Sequence, residues 1–570
     1  MANDLERTYS REQQRLGREF DEPTLTPSLA RQLSQAEKNV ILSPIRIEEE
    51  DDHLRPDHGD DDREKSPPQS SLEAEERAPQ KKIIKFDEAD PEQPNNWRQR
   101  KKLYAVFVAI CTVMNSTITS SLAAGATKPI SDRFNETNES RLILPTSIYL
   151  VGYTCGPLIF GPLSEQYGRK SSMVVAFAIF TIFSICAAVS PNYAALVIFR
   201  LLVGIAGSCP IVVVGGICAD VYHDPQSRGR AMALFMAATT FGPILGPPIS
   251  GFISQLSWSW AFWIGAIISG ATWPILLLMP ETYAPVILKA RAQKLRKETG
   301  DESIIAPIEL EEANLNHIVT VVLTRPIRMI CFEPLVLFTC LYLSYAYAIF
   351  YIFFQSYPII FTGIYGFNAG LEGLTFLPIG IGAIISAGFY LAWDSILNRA
   401  RKQNKPWARK EEMRRLPLGC LAGPFFVISL FWAGWTARKD IHWIVPTLAG
   451  IPFGMGYLCL FMSLLNYLVD AYEIFAASAS AASSFSRSSF GAVLPFAAKP
   501  MYRTLGVAWA CSLLGFLSLA MCVIPFVFIK YGYRMRERSR FCQYLAEKKK
   551  EEAEAVEREK VGKGGTEDRR

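Results

Sequence analysis

Two arginines lie inside stretches that are otherwise apolar. Arg200 stands in FRLLVGIAGSCP and Arg487 in SFSRSSFG. A charged side chain at the centre of a bilayer costs about 2.5–3.5 kcal/mol even on lenient scales, so such residues mark ion, proton or substrate paths. Each arginine could instead extend to the membrane surface or donate structural hydrogen bonds to neighbouring carbonyls. The sequence leaves both interpretations open.

A short polar segment, GPLSEQYGRK at residues 161–170, separates two long apolar stretches. It combines an acidic residue, Glu165, with Gly168 and the two cations Arg169 and Lys170. A loop between adjacent membrane helices does not need all of these features together, and their combination is typical of a mechanical latch. We therefore expect this polar segment to be part of a gate.

A carboxylate, Asp220, is expected at the C-terminal end of the apolar stretch that contains Arg200. The helix dipole disfavours a negative charge at a C-terminus, so we expect a cation beside it. The candidates are Arg228 and Arg230 in the following loop, or Arg169 in the polar segment. Such ion pairs would hold one gate shut.

Polar side chains recur along one face of the stretch LYLSYAYAIFYIFFQSYP. Tyr347, Tyr351 and Gln355 are spaced by four residues, which places them on one side of a helix. Stacking, cation–π contacts and hydrogen bonds from such a face would suit a large amphipathic or cationic ligand. An aromatic belt combined with helix packing explains the pattern equally well. Asn115 and Asn466, in two other apolar stretches, are further candidates for substrate binding.

The stretch GPILGPPISGFI repeats a small residue every four positions, at Gly242, Gly246 and Ser250. One bare helix face lets a neighbouring helix approach closely. Pro243 and Pro247 remove backbone donors and bend a helix. Tight packing alone would explain the small residues, but a bare face and a kink in one helix predict a hinge.

The residues needed for soluble enzyme chemistry are missing. There is no glycine-rich phosphate loop ending in Gly-Lys-Ser/Thr, which argues against an ATP-driven pump. The five histidines are scattered over tails and loops, and most of the twelve cysteines stand in apolar stretches as small hydrophobic residues. We expect no enzyme activity, no metal, no cofactor and no nucleic-acid partner. Any energy input must come from an ion gradient.

Helices that cross a membrane must position these residues. The apolar residues fall into blocks of roughly 18 to 27, and a helix needs about 20 to cross the hydrocarbon core. These blocks are apolar nearly all round, unlike the amphipathic helices of a soluble protein. Twelve are found, near residues 103–124, 143–163, 172–190, 193–218, 231–254, 259–279, 333–361, 371–393, 416–436, 443–468, 474–498 and 506–530.

Lysines and arginines cluster in segments that share one side of the predicted membrane. They include Arg98–Lys102, Lys289–Lys297 and Arg399–Arg415. The positive-inside rule assigns that side to the cytosol. An even number of spans also requires both termini on one side, so we expect both to be cytosolic.

The order of polar and apolar segments predicts five regions. These are a disordered acidic cytosolic tail (1–98), a first six-helix bundle (99–280), a cytosolic loop between bundles (281–332), a second six-helix bundle (333–530) and a charged tail (531–570). Two six-helix halves related by an axis along the membrane normal enclose a site near the midplane and rock about it. The predicted fold is an all-α membrane protein of two pseudo-symmetric bundles.

The repeat should be visible in the loops. In the loop after the eighth segment, Asp394, Arg399 and Arg401 correspond by position to the acidic and basic residues of the polar segment. The Gly161-Pro162 pair that begins the polar segment has no counterpart there. We expect a partial second copy of the latch at this loop.

Two glycosylation sequons lie between the first and second apolar segments, on the predicted outside. They begin at Asn135 and Asn138. Sequons are common by chance, and two so close together are not both expected to carry a glycan.

Several of these motifs together resemble one family. GPLSEQYGRK is similar to the loop signature of the major facilitator superfamily, FRLLVGIAGS to its fourth-span arginine motif and GPILGPPISG to the fifth-span motif of its exporters. DPEQPNNW, MPETYAPVILKARAQKLRKETG and NYLVDAYEIFAASASAASSFSRSSFGA add further matches. Over residues 86 to 535 the chain resembles the fungal twelve-span drug:proton antiporters, which include polyamine and multidrug exporters.

The resemblance implies roles for individual residues. Glu165 and Arg169 would latch the inward gate, and Arg200 would take part in proton coupling with Asp220 as its acidic partner. The exporter motif usually has Gly-Gly where this chain has Ser250-Gly251, and serine is small enough to keep the close packing.

Arginine does not titrate in the working range, so a carboxylate must carry the proton. Asp220, Asp470 and Glu473 are available, all near predicted cytosolic ends. The sequence does not choose among them.

The function that follows is export of amphipathic or cationic small molecules across the plasma membrane, in exchange for protons, by a monomer in the lipid bilayer. Two alternatives stay open. One is proton-driven uptake of a specific metabolite, and the other is a transporter-like sensor that signals through the N-terminal tail. Substrate identity is set by side chains on several helices and cannot be read from a linear motif.

Overall fold

The computed structural model describes residues 82–87, 89–309, 315–472, 475–539 and 541–545. Most of the predicted tail at 1–98, and the end of the charged tail, lie outside these residues. Within them, each predicted apolar segment forms a helix. The helices are α1 (Gln99–Ser121), α2 (Glu139–Tyr167), α3 (Arg169–Ala188), α4 (Tyr193–Val221), α5 (Pro225–Ile253), α6 (Trp260–Leu277), α7 (Pro334–Tyr357), α8 (Leu377–Lys402), α9 (Glu412–Thr436), α10 (Gly450–Tyr472), α11 (Ala476–Val493) and α12 (Pro495–Met521).

Shorter elements connect these helices. The α-helices are Thr127–Phe134, Ala284–Thr299, Leu315–Phe332, Ala369–Leu374, Ile444–Leu448 and Val523–Arg538, with single turns at Pro94–Asn96, Ala124–Ala126, Pro307–Glu309, Pro358–Thr362 and Pro406–Arg409. The segment predicted as a loop between the bundles therefore contains two helices of its own.

Residues 82–84 and 292–309 belong to a small separate unit. In it, β1 (Lys82–Ile83) pairs in parallel with β2 (Ile304–Ile305). The Lys82 ammonium donates to the Asp301 carboxylate at 2.9 Å. Both bundles lie in the other, larger unit.

Among the described residues, eleven helices are long and apolar enough to cross a membrane. The segment predicted as an eleventh span, 474–498, forms α11, which falls short of this measure because serines and Arg487 interrupt it. A helix buried among other helices can be this polar, because its polar side chains face protein instead of lipid. α11 packs against α7 in its own half and against α2 in the other.

Helix α12 is broken near its middle. Gly506 has φ 73° and ψ 168°, outside the helical region and in a range that favours glycine. The break separates the end of the predicted segment 474–498 from the start of 506–530. The helix Val523–Arg538 then continues the chain beyond Met521.

The two halves pack by the same plan. In the first, α4 packs against α2 and α3, and α1 against α5; in the second, α10 packs against α8 and α9, and α7 against α11. Glycines allow the closest approaches in both. A Cβ on Gly152 would lie 2.5 Å from the Ile205 nitrogen, and one on Gly382 2.9 Å from the Met455 nitrogen. The internal repeat expected from the sequence is thus visible in the packing.

Candidate functional site

The first feature of the site is an ion pair between α3 and α4. Nε of Arg169 donates to Asp220 at 3.1 Å, and the same guanidinium donates to the hydroxyl of Ser164 on α2 at 2.7 Å. The two charged side chains are only 11% and 17% exposed. Of the partners considered for Asp220, the structure brings Arg169 to it, whereas Arg228 and Arg230 are exposed. These contacts join α2, α3 and α4, which all belong to the first half.

Gly168 and Glu281 shape the turn that precedes Arg169. Gly168 has φ 93°, and a Cβ there would lie 2.5 Å from a carboxylate oxygen of Glu281. That carboxylate accepts from the backbone N–H groups of Arg169, at 2.9 Å, and Lys170, at 3.0 Å. It therefore caps the N-terminus of α3 and complements its dipole. Sequence reasoning did not find this role for Glu281, although it lies in the MPETYAP motif.

The polar segment 161–170 is less of a loop than expected. Residues 161–167 form the last turns of α2, and Gly168 is the single non-helical residue before α3 begins. Positive φ at one glycine is enough to turn the chain, so no longer loop is needed. Glu165 is exposed on the last turn of α2 and lies within electrostatic range of Asp220.

A second ion pair stands at the corresponding place in the other half. Nε of Arg415, in the first turn of α9, donates to Asp470 near the end of α10 at 3.0 Å. Its guanidinium also donates to the hydroxyl of Tyr390 on α8. Arg414 approaches the same carboxylate at 3.9 Å. We call the end of the halves that carries the Arg169–Asp220 and Arg415–Asp470 pairs the ion-pair end.

The expected second copy of the latch at Asp394–Arg401 was therefore misplaced. The residues that repeat the Arg169–Asp220 contact are Arg415 and Asp470, which lie at the start of α9 and the end of α10. The prediction compared loop positions, but the contact joins helix ends. Glu473, the third carboxylate considered for proton transfer, lies outside the described residues.

Arg200 is fully buried and binds main-chain carbonyls. Nε donates to the Pro145 carbonyl at 2.8 Å, and the two terminal nitrogens donate to the Thr119 and Ser120 carbonyls at 2.9 and 3.1 Å. The last carbonyls of a helix have no partner within it, so the guanidinium caps the end of α1. The Tyr149 ring lies 4.5 Å from the Arg200 Cζ atom. The side chain does not extend to a membrane surface.

The expected partnership of Arg200 with Asp220 is not formed. The two residues are 20 positions apart on α4, which corresponds to about 30 Å along a helix. Asp220 pairs with Arg169 at the ion-pair end, and Arg200 lies toward the other end. Any coupling between them must pass through α4 and its neighbours.

A small cavity lies between the halves. Residues from α2, α4, α7 and α11 line it: Tyr153, Pro157, Ser208, Ile211, Tyr347, Ser484, Arg487 and Ser488. Two of the predicted substrate-binding residues, Tyr347 and Arg487, are among them. Sequence reasoning missed the other six. The sequence did contain a signal for the serines of α11, because the spacing of Ser484, Arg487 and Ser488 places them on one face of the helix.

The other predicted substrate-binding residues do not line this cavity. Tyr351 lies next to it, with its hydroxyl 3.4 Å from that of Tyr347 and 3.0 Å from the Ser120 hydroxyl in the first half. Gln355 is buried further along α7.

The two asparagines are used elsewhere. Asn115 donates to the Ile268 carbonyl at 3.1 Å and to the Thr272 hydroxyl at 2.7 Å, both on α6. Asn466 donates to the Met462 carbonyl of its own helix at 2.7 Å. The Asn115 amide therefore joins α1 to α6, whereas the Asn466 amide bonds within α10.

The glycine face of α5 packs as expected. Gly242 lies against the Thr117 side chain and Gly246 against Ser121, both on α1. The helix is continuous through Pro243 and Pro247.

The next turn of α5 meets the second half. Gly251 lies against the Ala369 carbonyl, and a Cβ on Gly373 would lie 2.6 Å from the Pro248 Cα atom. A salt bridge from Arg503 to Glu139, at 2.5 Å, joins the halves nearby. The halves thus contact closely at the end opposite the ion pairs.

The two sequon asparagines flank the start of α2. Asn135 is exposed with φ 52°, and it ends the short helix Thr127–Phe134. Asn138 is the N-cap of α2, with its side-chain oxygen accepting from Ser140 N–H at 3.0 Å.

Two motifs that carried the family resemblance meet in space. Asp90 of DPEQPNNW accepts from Arg291, on the helix after α6, at 2.5 Å and from Glu92 N–H at 2.8 Å. Burial would raise the pKa of the Asp90 carboxyl, but these hydrogen bonds from Glu92 and Arg291 hold it below its usual range.

Comparisons with known proteins agree with this architecture. The sequence profile of the Major Facilitator Superfamily matches residues 105–495. The MFS-type transporter acdC of Aspergillus candidus is 38% identical over 79% of this chain and 89% of its own length. The multidrug transporter mdrA of Aspergillus fumigatus is 37% identical over 80% of this chain and 75% of its own length. The multidrug transporter TPO3 of Candida glabrata is 34% identical over 90% of this chain and 80% of its own length.

A solved structure gives the same fold. The proton:xylose symporter XylE, bound to a bromodeoxyglucose, superposes with a TM-score of 0.55 at 15% identity, covering 76% of this chain and 96% of XylE. The predicted all-α fold, and the prediction of a membrane transporter instead of an enzyme, are confirmed. With a family profile that matches residues 105–495 and a relative that is 38% identical over 79% of its length, the chain belongs to the major facilitator superfamily.

Proposed function

We propose that this transporter exports amphipathic small molecules across the plasma membrane in exchange for protons, by alternating access. The observation that carries the proposal is the cavity between the halves, which takes lining residues from α2 and α4 of one half and α7 and α11 of the other. A site shared in this way changes its access when the halves rock. Export is supported by relatives that are named multidrug transporters.

The contacts between the halves favour loading from the ion-pair end. The opposite end is closed by Gly251 and Pro248 against the short helix Ala369–Leu374. On α4, the accessible face that begins at Ile211 continues through Gly215 to Ala219, next to Asp220. We infer that the cavity opens toward the end where cations cluster, which the positive-inside rule assigns to the cytosol. An exporter would take its substrate from this side.

Asp220 and Asp470 are the residues we propose for proton exchange. Each carboxylate is held by an arginine at the start of a neighbouring helix, at 3.1 and 3.0 Å. Protonation would remove the charge that holds the arginine, so it would loosen the ends of α4 or α10. Arg200 then has a positioning role, because it fixes the end of α1 beside the Ser120–Tyr351 contact between the halves.

Transport into inside-out plasma-membrane vesicles tests the proposal. The vesicles come from a host without its own drug pumps, expressing the full chain, and the lumen is made acidic. A susceptibility screen of the same host with polyamines, azoles and fungal secondary metabolites selects the labelled substrate. We expect uptake that needs the acidic lumen and stops when a protonophore is added.

Uptake only when the outer solution is the more acidic would show a proton-driven importer and contradict the proposal. Uptake that is indifferent to the gradient would contradict the proton coupling. Vesicles carrying Arg169→Ala protein serve as the matched negative control.

A further inference from the structure

Arg487 is partly exposed, and it differs from the buried arginines Arg169, Arg200 and Arg415 in how its charge is balanced. Arg169 and Arg415 each pair with an aspartate, and Arg200 donates to three carbonyls. Arg487 makes a hydrogen bond of 3.4 Å to the Ser484 hydroxyl. No carboxylate among the described residues forms an ion pair with it. A guanidinium has five N–H donors, so most of those on Arg487 are left for a ligand or solvent.

Two aromatic rings lie close to this guanidinium. Its Cζ atom lies 5.9 Å from the Tyr347 ring centre and 5.8 Å from the Phe461 ring centre. Tyr457 packs against Phe461 with ring centres 4.6 Å apart. From the first half, Pro157 and Ile211 add apolar surface to the cavity. A ligand that enters the cavity next to the cation would therefore meet aromatic and aliphatic surface.

The lining of the cavity also lacks negative charge. Its polar residues besides Arg487 are two tyrosines and three serines, which are neutral and can donate hydrogen bonds. A cationic ligand would meet a like charge with no lining carboxylate to compensate, and the cost of like charges rises in a low-dielectric cavity. A carboxylate would instead form a charge-assisted, two-pronged hydrogen bond with the guanidinium.

We propose that the cavity selects organic anions, namely a carboxylate attached to an aromatic or apolar body, over cations of the same size. This inference rests on the proposed function in one respect, that the cavity is the substrate site. It keeps the amphipathic class expected from the sequence and replaces the cationic class by an anionic one. Arg487 is then the residue that determines charge specificity, and Tyr347 and Phe461 contact the apolar body.

The test uses three probes with one carbon skeleton: 4-phenylbutanoate, 4-phenylbutanamide and 4-phenylbutylamine. Their binding to the purified full chain in detergent is measured calorimetrically at pH 7.4. We expect the carboxylate to bind about tenfold more tightly than the amide, as a charged hydrogen bond implies, and the amine to bind most weakly. Equal or tighter binding of the amine, or binding of none of the three, would overturn the proposal.

Variants assign the preference to one residue. Arg487→Gln should weaken binding of the carboxylate about tenfold and change that of the amide less than about threefold. Arg487→Lys keeps the charge and should retain part of the preference. Lys499→Ala, on the next helix and away from the cavity, is the matched control. Equal loss for carboxylate and amide in Arg487→Gln would mean a packing role and overturn the assignment.

This result is separable from that of the vesicle experiment. Binding is measured without a gradient, so a failure of proton-driven export leaves the charge preference standing. Conversely, proton-driven export of the amine by the wild-type chain would keep the proposed function and remove the anion preference. If a variant does not fold, the three-probe comparison on the wild-type chain still decides.

Discussion

Gly216 on α4 lies directly against the guanidinium of Arg169, so a Cβ at this position would be 2.7 Å from the Arg169 Cζ atom. The absence of a side chain at Gly216 is what lets the arginine reach Asp220 on the same helix. The neighbouring Gly215 has no atom within 4 Å of its Cβ position. A methyl group added at Gly216 would therefore displace Arg169, whereas one added at Gly215 would meet no neighbouring residue.

This difference gives a prediction with an internal control. Gly216→Ala should displace Arg169, lengthen its 3.1 Å contact with Asp220 and lower transport to about a tenth, as expected for loss of a charge-assisted hydrogen bond. Gly215→Ala should transport like the wild type. Uptake into inside-out vesicles measures both, with protein amounts matched. Wild-type transport in Gly216→Ala would show that the pair is not needed.

Asp220 and Asp470 are distinguishable as proton carriers. Asp220 has one arginine partner, Arg169, whereas Asp470 faces both Arg415 and Arg414. Asp220 is therefore the better candidate to lose and regain its charge. Asp220→Asn should reduce substrate-driven proton flux in proteoliposomes to about a tenth or less, since an amide cannot take part in the proton cycle.

Asp220→Glu should keep part of that flux, and Asp440→Asn, at an exposed loop residue, should keep all of it. Asp470→Asn is expected to retain more flux than Asp220→Asn. The opposite order of fluxes would identify Asp470, in the second half, as the proton carrier.

The helices were predictable from the sequence because length and hydropathy are local properties. All twelve apolar segments form helices, and the glycine face at Gly242 and Gly246 packs as its four-residue spacing implies. Local spacing did not decide which residues of α7 line the cavity, because Tyr347 lines it whereas Tyr351 and Gln355 do not.

The contacts that the sequence did not reveal depend on packing between distant segments. Arg200 donates to carbonyls, which every residue carries, so no sequence pattern marks its partners. Glu281 lies 112 positions from the N–H group of Arg169 that it accepts from. Arg415 and Asp470 become neighbours only because α9 packs against α10.

The Asp90–Arg291 pair predicts a pH-dependent contribution to stability. Asp90→Asn leaves Arg291 without its carboxylate and should lower Tm by about 2 °C or more; the effect is modest because the Arg291 side chain is 39% exposed. The pKa of Asp90 is lowered in the folded chain. Its stabilising effect is therefore complete above the unfolded pKa of about 3.9 and is lost as pH falls through the lower folded value.

Thermal unfolding of both proteins in detergent should show a constant difference in Tm from pH 7 down to about pH 4, which then shrinks in more acidic buffer. Asp87→Asn, three positions earlier in the chain, is the control and should leave Tm unchanged. A difference that grows as the pH falls would contradict the assignment.

Substitutions of Arg200 test whether stability and transport depend on its positive charge or on the planar shape of its guanidinium. Lysine would keep the positive charge but cannot reproduce a planar group that donates to three carbonyls on two helices. Buried carbonyls left without a donor cost about 1–3 kcal/mol each. Arg200→Lys should therefore lower Tm clearly and reduce transport nearly as much as Arg200→Ala. A Lys variant that is as stable and active as the wild type would show that charge alone matters, and Arg200 would then return to a direct role in proton coupling.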